Sequence, residues 1–494
     1  MQQTREAETQ AMITQIEIDG FKTFKDFKVE LAPFQVIVGP NGSGKSNLFD
    51  ALQLVSQLMI PGNDVYKAMQ GIRGEAGELF TKYPDGTTSD TIRIAIEMLI
   101  NPKSDFASEK EIDLKFARFR YELEIRAEKS EDTLYHKYFE KQHLKIILTD
   151  PDNWCKKYNI PPNTNIHNQT IILSNTTNKT DALKDLLEIA LNNLKNRSPS
   201  LGQSKPLKSS DLPSVIKESL EYLEYLSRIQ ITYANAVKSE LRSLSFYHFN
   251  PEALRKRSST SAPRYLAPDG SNLPATLARI KAEDPVAFLL ISHDITSLVS
   301  DILKVDVEKY DPIDEYGIRV TTSDKRTFTA QALSDGTLRL LALATLRNDP
   351  QFHGTICIEE PENGVQPLYL NEFARLLHDM TTDFADPEQA NDPLRQVIVT
   401  THSPAFISQP EVIDHLLLAT TPTRIWPNTE SSLTVTRMEP VMTPETLAKI
   451  NIDPNEDRAS KYYTINIVKQ YLDGDILQQA SEQLEQARSD LHKI

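Results

Sequence analysis

Eight consecutive residues, Gly39-Pro40-Asn41-Gly42-Ser43-Gly44-Lys45-Ser46, set glycines, a lysine and a hydroxyl in the spacing G-x-x-x-x-G-K-S. Glycines let backbone N–H groups point inward at a chain of phosphates where side chains would clash. Lys45 can neutralise the outer phosphates, the Ser46 hydroxyl suits a magnesium ion, and Asn47 continues the loop into the next element. Far downstream, His353-Gly354-Thr355-Ile356-Cys357-Ile358-Glu359-Glu360-Pro361-Glu362 is a short apolar strand ending in adjacent carboxylates. Strand residues alternate sides and the strand end relaxes that alternation, so Glu359 can address a magnesium shell while Glu360 orients or deprotonates an attacking water. A further buried strand, Val397 to Thr401, carries His402 at its tip. Between the loop and these strands lies Leu333-Ser334-Asp335-Gly336-Thr337-Leu338-Arg339, just ahead of an apolar helix. The Ser334 hydroxyl and the bare amides at Gly336 are either a second phosphate-binding surface at a helix N-terminus or an ordinary N-cap by Ser334 or Asp335.

These groups need particular elements to hold them. Ile13, Ile16 and Ile18, then Phe27, Val29 and Leu31, then Phe34 to Val38 read as three strands, the last stopping at Gly39. Leu48, Leu52 and Val55 give helical spacing directly after Lys45. Strand, glycine-rich loop and helix is the order a phosphate cradle requires. Alternation at Ile92, Ile94 and Ile96, and at Phe119, Tyr121, Leu123 and Ile125, predicts an antiparallel sheet with one wet face. Residues 150–215 are rich in Asn, Thr, Ser, Lys and Pro and read as loops with short helices. Helical spacing follows at Ile216, Leu220, Leu223 and Leu226, then an irregular stretch from Arg255 to Pro274. The tail ends in a polar helix with Leu484, Ala487 and Leu491 on one side. The division is 1–130, first part of the head; 131–310, a largely helical and irregular insertion; 311–440, second part of the head; and 441–494, a helical tail.

The 494 residues allow two or three domains. A formal charge of −15 excludes a uniformly basic nucleic-acid binder but leaves room for a local basic patch. Arg255, Lys256 and Arg257, with Arg264 after them, are the candidate for a DNA or partner contact; a solvated loop is the plainer reading. No apolar run approaches the roughly 20 residues of a membrane span, and the first ten residues lack a secretion pattern. Cys155 and Cys357 form no disulfide framework, which suits a reducing cytoplasm.

The order of cradle, Ser-x-Gly turn, acidic strand and histidine strand resembles the ABC-type ATPases of the SMC, RecF and OLD group. The segments carrying the likeness are GPNGSGKS at 39–46, LSDGTLR at 333–339, ICIEEPENGVQP at 356–367, VTTHSP at 399–404, and the opening Ile16 to Phe24. The nearest type is the bacterial single-chain ATPase called AAA_21 or AAA_15, over about 12–105 and 315–420. The resemblance implies an α/β P-loop NTPase fold: an ABC-type head of mixed sheet, flanking helices and an antiparallel lobe, with an inserted helical region. It further implies ATP and Mg2+ as cofactors, and a homodimer or higher homo-oligomer in which the turn of one subunit closes on ATP held by the other's Lys45 and Ser46. Glu360 would then be the catalytic carboxylate, His402 the γ-phosphate sensor and Asn363-Gly364 the loop at the dimer interface.

Three positions depart from the group's pattern. Glu359 replaces an Asp, Asp335 replaces the first glycine of the signature, and Gln366 stands where relatives carry His. Gln53, Gln57 and Gln70 are candidates for the glutamine that links magnesium to the second lobe. Asp473-Gly474-Asp475 is the sole D-x-D after His402 and reads as a turn rather than a nuclease site. The expectation is therefore an ATP-driven sensor or scaffold in antiphage defence, acting with a separate nuclease or toxin. The alternatives are a RecF-like ATPase that binds DNA itself, and the nucleotide-binding subunit of a transporter.

Overall fold

The computed structural model describes residues 10–101, 117–129, 136–147, 153–158, 234–352, 354–386, 389, 394–425, 432–441 and 468. Of the helical pattern expected over 214–244, residues 214–233 lie outside them and 234–243 are helical; the tail pattern, with Asp473-Gly474-Asp475, also lies outside.

Two sheets share one chain start. Strands β1 (Gln10–Asp19), β2 (Phe27–Glu30), β4 (Thr91–Asn101), β5 (Ala117–Lys129) and β6 (His136–Ile147) form an antiparallel sheet in the order β2-β1-β4-β5-β6. One face is apolar: Ile16, Ile18, Ile94, Ile96, Phe119 and Ile125 are all buried. The other face is charged, and Arg120 bridges Glu17, Glu97 and Glu122 across it. The expected wet-faced sheet is thus present, and it runs through β6, whose residues the sequence division assigned to the insertion.

The second sheet carries the chemistry. Its order is β17 (Arg437–Pro440), β14 (Leu416–Thr420), β3 (Phe34–Val38), β13 (Arg395–Thr401), β12 (Gly354–Glu359) and β7 (Ser245–Tyr247). All neighbours but β17 pair in parallel. Buried on both faces, β3, β12, β13 and β14 are nearly continuous apolar runs, as parallel strands covered by helices must be. Because the strands run alike, their C-terminal ends gather Gly39, Glu359, Glu360 and His402 at one edge. That is where an open α/β sheet places its ligands.

Helix α1 (Lys45–Leu58) follows β3 after the glycine loop and buries Leu48, Leu52 and Val55, as their spacing predicts. Helix α2 (Val65–Gln70) continues beside it. Further along come α3 (Asn153–Lys157), α4 (Pro251–Leu254), α5 (Leu273–Glu283) and α6 (Pro285–Leu298), then the hairpin of β9 (Ile302–Tyr310) and β10 (Glu315–Thr322). Helix α7 (Asp335–Asn348) is apolar nearly all round and sits in the core, whereas α8 (Leu370–His378) is strongly amphipathic. Phe21, Phe24, Phe34, Phe119, Phe373 and Phe406 anchor the interior at under 2% exposure. Truncating such a ring to Ala costs about 3–5 kcal/mol.

A buried glutamine helps to join the sheets. Gln396, fully buried, accepts from Ile13 N and Thr355 Oγ1 and donates to Ile13 O and Ala32 O. A buried amide with every bond made fixes the position of one lobe on the other, because any sliding would orphan polar groups in an apolar interior.

Candidate nucleotide site

The glycine loop leaves β3 at Gly39 and closes on the first turn of α1. Gly42 and Gly44 sit at φ +82° and +91°, a backbone region that L side chains rarely adopt. At Gly44 a Cβ would also stand 2.1 Å from Thr436 Oγ1. The loop is therefore clamped from outside by Thr436, which bonds Thr23 Oγ1 at 2.7 Å, while Asn47 donates to the same Thr23 hydroxyl at 2.9 Å. Inside the loop, Lys45 Nζ donates to the Gly39 and Pro40 carbonyls at 2.6 and 2.8 Å. Burial holds its pKa below the usual lysine value against the pull of Glu360, Glu359 and Glu362. The Ser43 hydroxyl is buried with no partner of its own.

A small polar cleft of about 140 Å³ opens beside the loop, lined by Asn41, Gly42, Gly44 to Asn47, Glu359, Glu360 and Thr400. Cradle and acidic strand thus line one cleft. Glu360 is a strained residue at φ +45°, on the corner where β12 turns away. Its amide donates to Thr400 O at 2.9 Å and its carbonyl accepts from Arg339 Nη1 at 3.2 Å. Its carboxylate accepts from Asn363 Nδ2 at 2.8 Å and lies 3.0 Å from His402 Nδ1. Burial pushes the Glu360 pKa up, but Asn363, His402 and Lys45 together hold it below the ordinary glutamate value. It stands as an ionised acceptor at the cleft wall.

Glu359 also faces the cleft, touched by two residues that the motifs did not reveal. Arg73 Nη2 lies 3.5 Å from Glu359 Oε1 and donates to Ser46 O at 3.0 Å, while its Nε donates to Asp50 at 3.0 Å. His248, just past β7, is 3.6 Å from Glu359 Oε2. Gln53, Gln57 and Gln70 are not among the cleft's lining, and neither is Arg73, which from beyond α1 reaches Glu359 at its wall. Its signal in sequence is slight, a lone arginine before Gly74. Behind the strand, Glu362 is buried and accepts from Thr401 Oγ1, and burial raises its pKa.

The Ser334 turn lies elsewhere: none of the cleft's lining comes from 333–339. Ser334 caps α7, accepting from Thr337 N at 3.2 Å, and stays exposed. Asp335 pairs with Arg255 at 2.5 Å, and Arg255 also donates to Leu333 O. Gly336 is required by contact, since a Cβ there would lie 2.1 Å from Gly364 O. The turn and the Asn363-Gly364 loop are packed together within one chain. Of the basic stretch, Arg255 is committed to this turn and Arg257 stacks on Tyr310 at 3.8 Å, leaving Lys256 exposed. Arg264 bonds Gln351 and Glu283.

The family model AAA_21, described as "AAA domain, putative AbiEii toxin, Type IV TA system", matches residues 34–408. This chain belongs to the AAA_21 family. The match takes in the cradle, the Ser334 turn, the acidic strand and the histidine strand, and makes it an ABC-type ATPase domain of the kind that its motifs resemble. Solved structures similar to the AAA_21 chain include the Smc head domain bound to the C-terminal domain of ScpA from Pyrococcus furiosus, at 16% identity, covering 89% of this chain and 98% of that one, TM-score 0.40. Another is the SMC head domain from Thermotoga maritima, at 13% identity, 87% and 99% coverage, TM-score 0.35. No helix among the described residues of this AAA_21 chain is long and apolar enough to cross a membrane.

The residues present fit a nucleoside triphosphate with its metal. The cradle has glycines where Cβ atoms could not stand, a lysine inside it, an unpartnered hydroxyl at Ser43, and Ser46 opposite a carboxylate.

Proposed function

We propose that this chain binds and hydrolyses ATP in a site completed by a second copy of itself. One observation carries the reading: the cleft gathers Lys45, Ser46, Glu359 and Glu360, while the Ser334–Gly336 turn, exposed at Ser334 and Asp335, contributes nothing to it. A phosphate-binding helix end that cannot serve its own chain's cleft is placed to serve another's.

Within the cleft, Lys45 exchanges the Gly39 and Pro40 carbonyls for phosphate oxygens. Ser46 and Glu359 would hold magnesium, which supplies charge neutralisation at the phosphates when bound. Glu360, ionised and aimed by Asn363, orients the attacking water. His402, at the tip of the neighbouring strand, reports on the outer phosphate through Glu360. Ser334, Asp335 and Gly336 close the partner's site.

Assembly driven by ATP makes the chain a sensor or scaffold rather than a metabolic enzyme. Its family description includes a toxin of a toxin–antitoxin system, an arrangement of paired components. That agrees with a cytoplasmic role in antiphage defence beside a separate nuclease or toxin. Direct DNA binding in the RecF manner is the weaker reading, because Arg255 and Arg257 already have partners in their own chain. The test is light scattering of Glu360→Gln with and without ATP-Mg2+. A dimer that forms only with nucleotide is expected. A monomer that turns over ATP at the wild-type rate would overturn the shared site, and DNA-stimulated turnover would restore the RecF-like reading.

A further inference from the structure

At the opposite ends of the same strands lies a second cavity, of about 530 Å³, within the size range of small-molecule sites. Phe34, which opens β3, His378, which ends α8, and His415, which precedes β14, form a three-ring cluster with every pair of centroids 5.4 Å apart. Tyr158 and Phe384 stand 6.4 Å from each other on another part of the lining. Five rings around one void suit a flat aromatic group, since ring edges and faces attract one another in offset and edge-on arrangements.

The polar groups narrow the class. Among the described residues no hydrogen bond engages a ring nitrogen of His378 or His415, and His378 Nδ1 stays 3.9 Å from Asp379. Structural histidines beneath a sheet ordinarily tie one nitrogen down. Burial, then the neighbouring His378, pushes His415 down to about 4, so at neutral pH it presents one donor and one acceptor. Paired donor and acceptor atoms are what the edge of a nucleobase matches. Lys157 stands exposed at the rim, 5.4 Å above the Tyr158 ring and without a carboxylate partner among the described residues, whereas Arg347 is engaged by Asp294 and Asp379. It is the open cation of the lining.

We propose that this cavity is a second ligand site, for a mononucleotide whose base enters the ring cluster, meets the two imidazoles with its edge and turns its phosphate to Lys157. The site is separate from the ATP cleft but joined to it, because β3 runs from Phe34 directly into Gly39.

The full chain carrying Lys45→Ala, which removes the cradle's lysine, is titrated with AMP, GMP, CMP and UMP by calorimetry and by tryptophan fluorescence; Trp154 lies 4.5 Å from Tyr158. Saturable binding of at least one of them is expected. It should weaken about tenfold with His378→Ala and vanish with Ala385→Trp, which fills the void from an exposed lining position. No binding by a folded protein, or binding indifferent to both substitutions, would overturn the proposal. Retained ATP binding by Lys45→Ala that Ala385→Trp does not touch would instead count against the cleft assignment, so the two failures are distinguishable.

Discussion

The cradle and the Ser334 turn are both helix N-termini with glycines, yet the protein treats them differently. The cradle is exposed at Asn41 and Gly42 but buried at Ser43, Gly44 and Lys45, with Gly44 limited by Thr436 and the lysine already bonded inside the loop. The turn is exposed at Ser334 and Asp335, its serine satisfied locally as a cap, and its buried glycine pressed on Gly364. A phosphate-binding element that serves its own chain is held within that chain's core. On the reading proposed above, one that serves another molecule displays Ser334 and Asp335 at the surface and needs only a stable local conformation.

The largest way to break that contrast is Lys45→Ala. It should weaken ATP binding at least about 100-fold, roughly 3 kcal/mol, in calorimetry. Glu360→Gln should keep binding while turnover in a phosphate-release assay falls about 100- to 1,000-fold, the range for a lost water-orienting group. Ser334→Ala sharpens the comparison. Losing the cap should cost about 1 kcal/mol in thermal unfolding, and turnover should fall about tenfold with ATP binding intact. Mixing Ser334→Ala with Lys45→Ala should then restore activity, since one composite site has an intact cradle facing an intact turn; no recovery on mixing would place Ser334 outside the reaction. Arg339→Ala, which frees the Glu360 carbonyl, should lower turnover severalfold without moving affinity.

The smallest effect concerns the far end of the sheet. His415 has a folded pKa lowered to about 4 from 6.5, so its unfolded form binds the proton more readily. Stability is therefore nearly undiminished above pH 6.5 and falls as pH drops from there toward 4, by about 1 kcal/mol at pH 5.5. Denaturant titrations at pH 7.5 and 5.5 should show that loss in wild type and a smaller one in His415→Gln.

Much of the cleft was legible because its parts are local. A glycine loop between strand and helix, or two carboxylates at a strand end, declares itself within ten residues. The alternation of Ile92, Ile94 and Ile96 gave the antiparallel lobe for the same reason. Other parts were not legible, because they depend on residues that only the fold brings together. Arg73 reaches Glu359, Arg339 reaches the Glu360 carbonyl, and Thr436 limits Gly44, each across a chain separation that no periodicity records. In the basic stretch, likewise, charge is visible in sequence but the pairing of Arg255 with Asp335 is not. The stretch from Arg255 to Pro274, read as irregular, is mostly that, with a two-residue strand at Ser258–Ser259.

The contact of Gly336 with Gly364 has a mechanical consequence. The turn that would meet a neighbour's nucleotide is pressed, at Gly336, on the loop that follows Glu360, the carboxylate proposed to orient water, with no room for a methyl group between them. In a two-fold pair each chain would bring that joined piece to the seam. Spending the nucleotide on one side would then loosen both sides together, and the pair would part as a single clasp rather than as two independent hinges.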